Sequence, residues 1–221
     1  MVGTTNAPVL AVLTRAPSSG GKTRLFTSLG IATDTTLLEA LLLDTLDGSA
    51  APGVSQIVVV TPADACAEMT ALVGTVEVMP QRAGDLGERM RHTMVALFGR
   101  GASAVAVIGS DLPHVPTAAI ATAFDHLTRN ADALVLGPAT DGGYYLIAAR
   151  RLPDVFRDIT WGSNRVLAQT ERAARREGFR VERLADITDV DDEDSLRRAV
   201  SSGRAPRTAA WLRARDANPP G

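Results

Sequence analysis

Six short runs of this chain are apolar almost throughout, and that constrains its fold more than any other feature. They are Pro8 to Leu13 (PVLAVL), Gln56 to Val60 (QIVVV), Thr75 to Met79 (TVEVM), Ala104 to Ile108 (AVAVI), Ala133 to Leu136 (ALVL) and Tyr144 to Ala148 (YYLIA). A strand that alternates apolar and polar residues buries one face, whereas an unbroken apolar strand is covered on both. Between the runs lie segments with helical spacing. Ile31 to Leu46 carries Leu37, Leu38, Leu41, Leu42 and Leu46 on one stripe, and Gly87 to Gly99 turns Met90, Met94, Leu97 and Phe98 inward. Helices are also expected over Pro116 to Thr128, Ser163 to Glu177, after Asp191-Asp192, and over Pro206 to Arg215. A further strand is expected near Phe179 to Leu184, and Thr61-Pro62 reads as an N-cap and first helical residue. Strands alternating with helices imply a three-layer α/β/α architecture around a mixed, mostly parallel sheet.

The chain's 221 residues suit one domain over 1–221, with a core over about 8–203 and a frayed tail over 216–221. A lone cysteine, Cys66, excludes an internal disulfide framework and fits a reducing compartment. No apolar stretch reaches the roughly 20 residues that span a bilayer, and the start lacks a secretory pattern, so the expected location is cytoplasmic, away from membranes. A net charge of −2 speaks against nucleic acid as a partner. The cluster Arg172, Arg175, Arg176, Arg180 and Arg183 has the spacing of a solvated helix face.

In a sheet of this kind, ligands bind outside the carboxyl ends of the strands. Four loops follow predicted strands and carry chemistry. The first, Arg15 to Arg24 (RAPSSGGKTR), leads through small residues into a helix opened by Lys22-Thr23. Free backbone N–H groups and a helix N-terminus attract anions there, and Arg15, Lys22 and Arg24 add charge. It is no standard P-loop, since Ala16 stands at the first glycine position and Pro17 removes a donor. The second loop, Gly109-Ser110-Asp111-Leu112-Pro113, sets a carboxylate at a strand end, where it suits Mg²⁺ or Mn²⁺ and equally a turn cap. The third, Gln81 to Met90, offers Gln81, Arg82, Gly84, Asp85, Gly87 and Arg89 to a base or a phosphate. The fourth, Gly137 to Tyr145, holds Asp141-Gly142-Gly143, which suits a hairpin turn as well as an acceptor site. Farther along, Asp191 could cap the helix that follows or, with Asp189, supply a second metal carboxylate.

Other chemistries find little support. His92, His114 and His126 lack metal-ligand spacing, and no G-x-S-x-G, C-x-x-C or early G-x-G-x-x-G is present.

Several of these runs occur in one order over roughly residues 8–200: Lys22-Thr23-Arg24-Leu25, Gly84 to Met90 (GDLGERM), Gly109 to Pro113, Gly137-Pro138, Asp141 to Leu146 (DGGYYL), Trp161 and Asp189-Val190-Asp191. Together they resemble the DUF2064 family, whose members are often labelled glycosyltransferases. That family is similar to the nucleotide-diphospho-sugar transferase (GT-A) fold and to 2-phospho-lactate guanylyltransferases. The resemblance implies that Asp111 binds metal and that Arg15 to Arg24 lies over nucleotide phosphates. It also implies that Gly84 to Arg89 flanks the nucleotide and that Asp141, Gly142 and Gly143 face the second substrate. The chain departs from the acidic pair D-x-D of many sugar transferases, because residue 109 is Gly.

The resulting expectation is a transferase using Mg²⁺ (or Mn²⁺) and a nucleotide. Lys22, Arg24 and Asp111 are its catalytic candidates, Asp111, Asp189 and Asp191 its metal candidates, and Arg15, Lys22, Arg24, Gln81, Gly84, Asp85, Gly87 and Arg89 its nucleotide-binding ones. Nucleotidyl transfer to a small anionic acceptor leads, because a departing pyrophosphate needs the basic loop. The alternatives are glycosyl transfer from a nucleotide sugar and a non-catalytic nucleotide-binding module. A homodimer is left open.

Overall fold

The structure is a computed structural model that describes residues 6–217. Its centre is a seven-stranded sheet in the order β3-β2-β1-β4-β6-β5-β7. The strands are β1 (Pro8–Arg15), β2 (Ser55–Thr61), β3 (Glu77–Pro80), β4 (Ala104–Gly109), β5 (Ala133–Pro138), β6 (Tyr144–Ala149) and β7 (Arg180–Arg183). Only β6 runs against its neighbours, pairing antiparallel with β4 and β5, while every other pairing is parallel.

Five of the six apolar runs are buried on both faces, as their composition requires; Thr75 to Met79 is not, because β3 lies at the sheet edge and its residues are half-buried or exposed. Leu10, Val12, Val58, Val60, Ala106 and Ile108 face a cluster built with α2 (Thr35–Ser49), α3 (Cys66–Val73) and α5 (Thr117–Arg129). Their neighbours Val9, Ala11, Ile57, Val59, Val105 and Val107 face α4 (Leu86–Gly99) and α6 (Val166–Arg176). The three-layer α/β/α arrangement thus follows from the period of two along a strand covered on each side. A third cluster lies beside the sheet, where α1 (Thr23–Leu29) and α2 meet α7 (Glu193–Ser201) and α8 (Pro206–Ala217) through Leu25, Leu37, Leu41, Leu196 and Leu212.

Three expectations need correction. The helix expected from Ile31 starts only at Thr35. α1 stops at Gly30, whose φ of 67° lies in the left-handed region, and α2 begins afresh after Asp34, which caps it by accepting from the Thr36 N–H. Pro62 is not a first helical residue: it is extended, after a cis Thr61–Pro62 bond, and a 3-10 turn over Ala63–Ala65 precedes α3. Asp216 and Ala217 are not frayed, because α8 continues through them and Arg197 pairs with Asp216 at 3.0 Å. The rest of that tail, 218–221, lies outside the described residues. Among the described residues no helix is long and apolar enough to cross a membrane.

α8 is fastened by a carboxylate that the sequence analysis did not single out. Asp44, on α2, is wholly buried and accepts from the Thr208 N–H and hydroxyl, both at 2.8 Å, and from Arg207. A buried carboxylate survives only when its oxygens are satisfied in this way. Asp44→Ala should therefore strip partners from the buried start of α8 and cost about 3 kcal/mol. Urea denaturation would show it; a midpoint equal to wild type would contradict the clamp.

Candidate active site

The carboxyl ends of β1, β2, β3, β4 and β5 and the beginning of the reversed β6 share one edge of the sheet, and a cleft of about 450 Å³ opens there. One side is lined by Arg15, Lys22, Thr61, Gln81 and Arg89, the other by Asp141, Tyr144, Trp161 and Asp189, with Asp111 between them at the end of β4.

At the centre, one ammonium joins three segments. Lys22 Nζ donates to Asp111 Oδ2 at 2.7 Å, to the Val190 carbonyl at 2.8 Å and to Asp191 Oδ1 at 2.9 Å. The backbone closes the same junction from the other side, where the Val190 N–H donates to the Asp111 carbonyl at 3.1 Å. Burial works against the charge on Lys22, but the Asp111 and Asp191 carboxylates outweigh it and raise its pKa above the ordinary lysine value. Lys22 reaches this position from a left-handed backbone, φ 51°, at the N-cap of α1. Arg24 pairs with the far side of Asp191, and its side chain is 80% exposed, so it braces Asp191 and does not line the cleft.

Asp189 stands beside this junction with its Oδ1 shut from solvent and without a hydrogen-bond partner. Burial and the neighbouring charge of Asp111 push its pKa well above the carboxylate range. Among the described residues no three His, Cys, Asp or Glu side chains form a cage that would hold a metal alone. Mg²⁺ and Mn²⁺ need no such cage when phosphates and water supply the remaining ligands. Asp111 with an orphaned Asp189 oxygen fits that kind of site.

Glycines make room for the working groups. A Cβ on Gly109 would lie 2.7 Å from Asp111 Oδ1, so the residue that breaks a D-x-D pattern also leaves space for the Asp111 carboxylate. Gly142 has φ 90°, and a Cβ there would meet the Asn164 carbonyl oxygen at 2.4 Å. It lets the Asp141–Gly143 turn press against the segment before α6, and Asp141 accepts the Gly143 N–H within that turn. Gly87 admits the Trp161 ring, which packs edge-on to Tyr144 with centroids 6.4 Å apart.

The structure therefore brings Arg15, Lys22, Gln81, Arg89, Asp111, Asp141, Gly143 and Asp189 to one cleft. Gly84, Asp85, Gly87 and Gly142 support it without lining it. Asp85 is engaged in capping α4, accepting the Glu88 N–H at 2.8 Å in a reciprocal capping box. Arg89 reaches Gln81 at 3.4 Å. Sequence reasoning gave no role to Tyr144 and Trp161, although both lay within runs it had singled out. It passed over Thr14, whose hydroxyl meets that of Ser110 at 2.9 Å and ties β1 to the Asp111 loop.

Gly87→Ala should displace Trp161, since the new Cβ would lie 2.5 Å from its ring. Such overpacking costs about 1–3 kcal/mol. A lower denaturation midpoint with an altered near-UV tryptophan signal is expected, and a variant wild-type in both would refute the close approach.

Comparison with known proteins bears on this geometry. The structure resembles the crystal structure of a candidate nucleotide-diphospho-sugar transferase from Desulfovibrio desulfuricans G20, with a TM-score of 0.85, 33% identity and 95% of each chain covered. More distant likenesses share the fold. A nucleotidyl transferase from Methanothermobacter thermautotroptrophicus matches with a TM-score of 0.57 and 18% identity over 90% of this chain and 99% of the other. Rv0371c from Mycobacterium tuberculosis H37Rv, in complex with manganese, matches with a TM-score of 0.52 and 20% identity over 89% and 99%. No curated protein sequence matches the chain. The family described as "uncharacterized protein conserved in bacteria" (DUF2064) matches residues 45–163, and with a 33% identical relative along nearly the whole chain, this protein belongs to the DUF2064 family.

Proposed function

We propose that this protein is a divalent-metal-dependent transferase that uses a nucleotide, and that its reaction is nucleotidyl transfer. The observation that carries the reading is the junction of Lys22 with Asp111 and Asp191, set beside an unpartnered Asp189 oxygen at the strand ends. Three carboxylates, those of Asp111, Asp189 and Asp191, gather there around the Lys22 ammonium, an arrangement suited to phosphate chemistry and costly to keep for packing alone. Likeness to a nucleotidyl transferase supports the choice of fold, and a manganese complex in a second likeness supports a divalent ion.

Asp111 and Asp189, with Asp191 in reach of the same junction, would hold the ion, which would offset phosphate charge and draw electron density from the α-phosphorus. The remaining roles belong to the chain. Arg15 and Lys22 place positive charge where the β- and γ-phosphates of a nucleoside triphosphate would lie. Gln81 and Arg89, at the end of β3 and on α4, flank the base and sugar. Asp141 and Gly143 orient the acceptor on the opposite wall. An acceptor oxygen attacks the α-phosphorus, the bond to the β-phosphate oxygen breaks, and pyrophosphate carries away the electron pair. An acceptor that is already anionic needs no general base. Arg24 acts through Asp191 as a positioning residue.

A second reading rests on the Desulfovibrio relative, whose description as a nucleotide-diphospho-sugar transferase points to glycosyl transfer from a nucleotide sugar. Thermal shift against nucleoside triphosphates and nucleotide sugars, each with and without Mg²⁺ or Mn²⁺, separates the two. A ligand at 100 times its Kd stabilises by about 2.7 kcal/mol. Metal-dependent stabilisation by a triphosphate is expected; stabilisation by nucleotide sugars alone would replace this reading with the second. Asp111→Ala should abolish the metal-dependent part and leave the circular dichroism spectrum unchanged. Retained metal-dependent affinity in that variant would remove Asp111 from the site.

A further inference from the structure

A second cleft, of about 360 Å³, backs onto the first across the ring of Tyr145, which lines both. It lies between the start of α5, the segment before α7 and α7 itself, and its polar lining comes from His114, Asp186, Thr188, Arg198 and Arg204, with Ser195 on α7. Neither Arg198 nor Arg204 has a carboxylate within ion-pair distance among the described residues, although Asp192 feels the charge of Arg198 from farther away. By contrast Arg197, next to Arg198 in sequence, pairs with both Glu193 and Asp216.

A second oddity marks the same place. The Nδ1 of His114 is shut from solvent and has no hydrogen-bond partner. Burial, and then the nearby charge of Arg204, lower the imidazole's pKa and favour its neutral form. A neutral imidazole can donate from one ring nitrogen without adding charge. Two unpaired guanidinium groups in a concave site match the oxygens of a phosphate in fixed, forked geometry. Asp186 is the one carboxylate among the lining residues, so the two arginines leave the wall positive. The volume lies within the range of small-molecule sites.

The geometry points to a second ligand site, in which Arg198, Arg204 and His114 bind the phosphate group of a small phosphorylated molecule. It is separate from the nucleotide cleft, and its existence does not depend on the reaction proposed above. Its far wall is the segment 185–188, which continues directly into Asp189 and Asp191. A bound phosphate would therefore rest on the segment that carries the acidic groups of the first cleft.

Inorganic phosphate is the probe, and the ring signals of His114 in a ¹H–¹³C spectrum are the local readout. Titration of the wild-type protein should move the His114 signals to saturation while those of His92 and His126 stay in place. In Arg198→Ala/Arg204→Ala, which removes two exposed side chains, the apparent affinity at His114 should fall by at least about 10-fold, the equivalent of 1.4 kcal/mol. Arg15→Ala/Arg89→Ala reports on phosphate bound in the first cleft, and there the His114 titration should persist. The inference is overturned if phosphate leaves His114 unmoved, if the Arg198/Arg204 variant titrates like wild type, or if the response is lost in the Arg15/Arg89 variant.

Discussion

The ammonium of Lys22 sits where three stretches of chain distant in sequence meet, and the shape of the site depends on it. Without that cation, Asp111 and Asp191 would face one another across a partly dry junction, with Asp189 adding a further negative charge. Like charges so close raise the cost of ionisation until protons or cations intervene. Lys22 supplies the cation from within the chain, and its donation to the Val190 carbonyl fixes the segment that carries both later aspartates. The left-handed conformation at Lys22 is the strain accepted for this placement. One ammonium offsets only part of that acidic charge, and Arg24 pairs with Asp191 from outside the cleft.

Much of the fold was legible because its signals are local. The inner apolar runs announced strands buried on both faces, and a helix was expected after Asp191-Asp192, although Asp192 caps it while Asp191, the expected cap, turns to Lys22. The site was legible in part for the same reason: Asp111 stands at a strand end, where any parallel sheet gathers its ligands. What escaped notice depends on distance in space. The bond of Asp44 to Thr208 joins residues 164 apart, and no local pattern marks either as a partner. The packing of Trp161 on Gly87 is equally silent in sequence, since a glycine two residues past a cap looks like loop flexibility until a ring fills the space. Pro62 misled because its ψ of 163° keeps it extended, so the turn begins only at Ala63.

The two walls of the cleft differ in kind. Arg15, Lys22, Gln81 and Arg89 make a polar and basic surface over β1, β2 and β3, while Tyr144, Trp161, Leu86 and Met90 make an apolar one toward β6 and α4. Such a division suits a charged substrate held on one side and a substrate of mixed character on the other. The family's shared runs map onto both walls, so membership in it describes a frame for binding more fully than it describes the bond that is made.

The reversed direction of β6 has a consequence for how these walls assemble. Because β6 begins at the cleft, the link from β5 is a hairpin of five residues, 139–143, in place of a crossover helix. The junction on the opposite side closes only when Lys22 finds Asp191, 169 residues away. Loop-closure entropy grows with the logarithm of length, so this junction carries about 3 kcal/mol more of that cost than the hairpin. The wall that carries Asp141 is thus the cheaper half to organise, and the acidic junction draws its order from the finished fold.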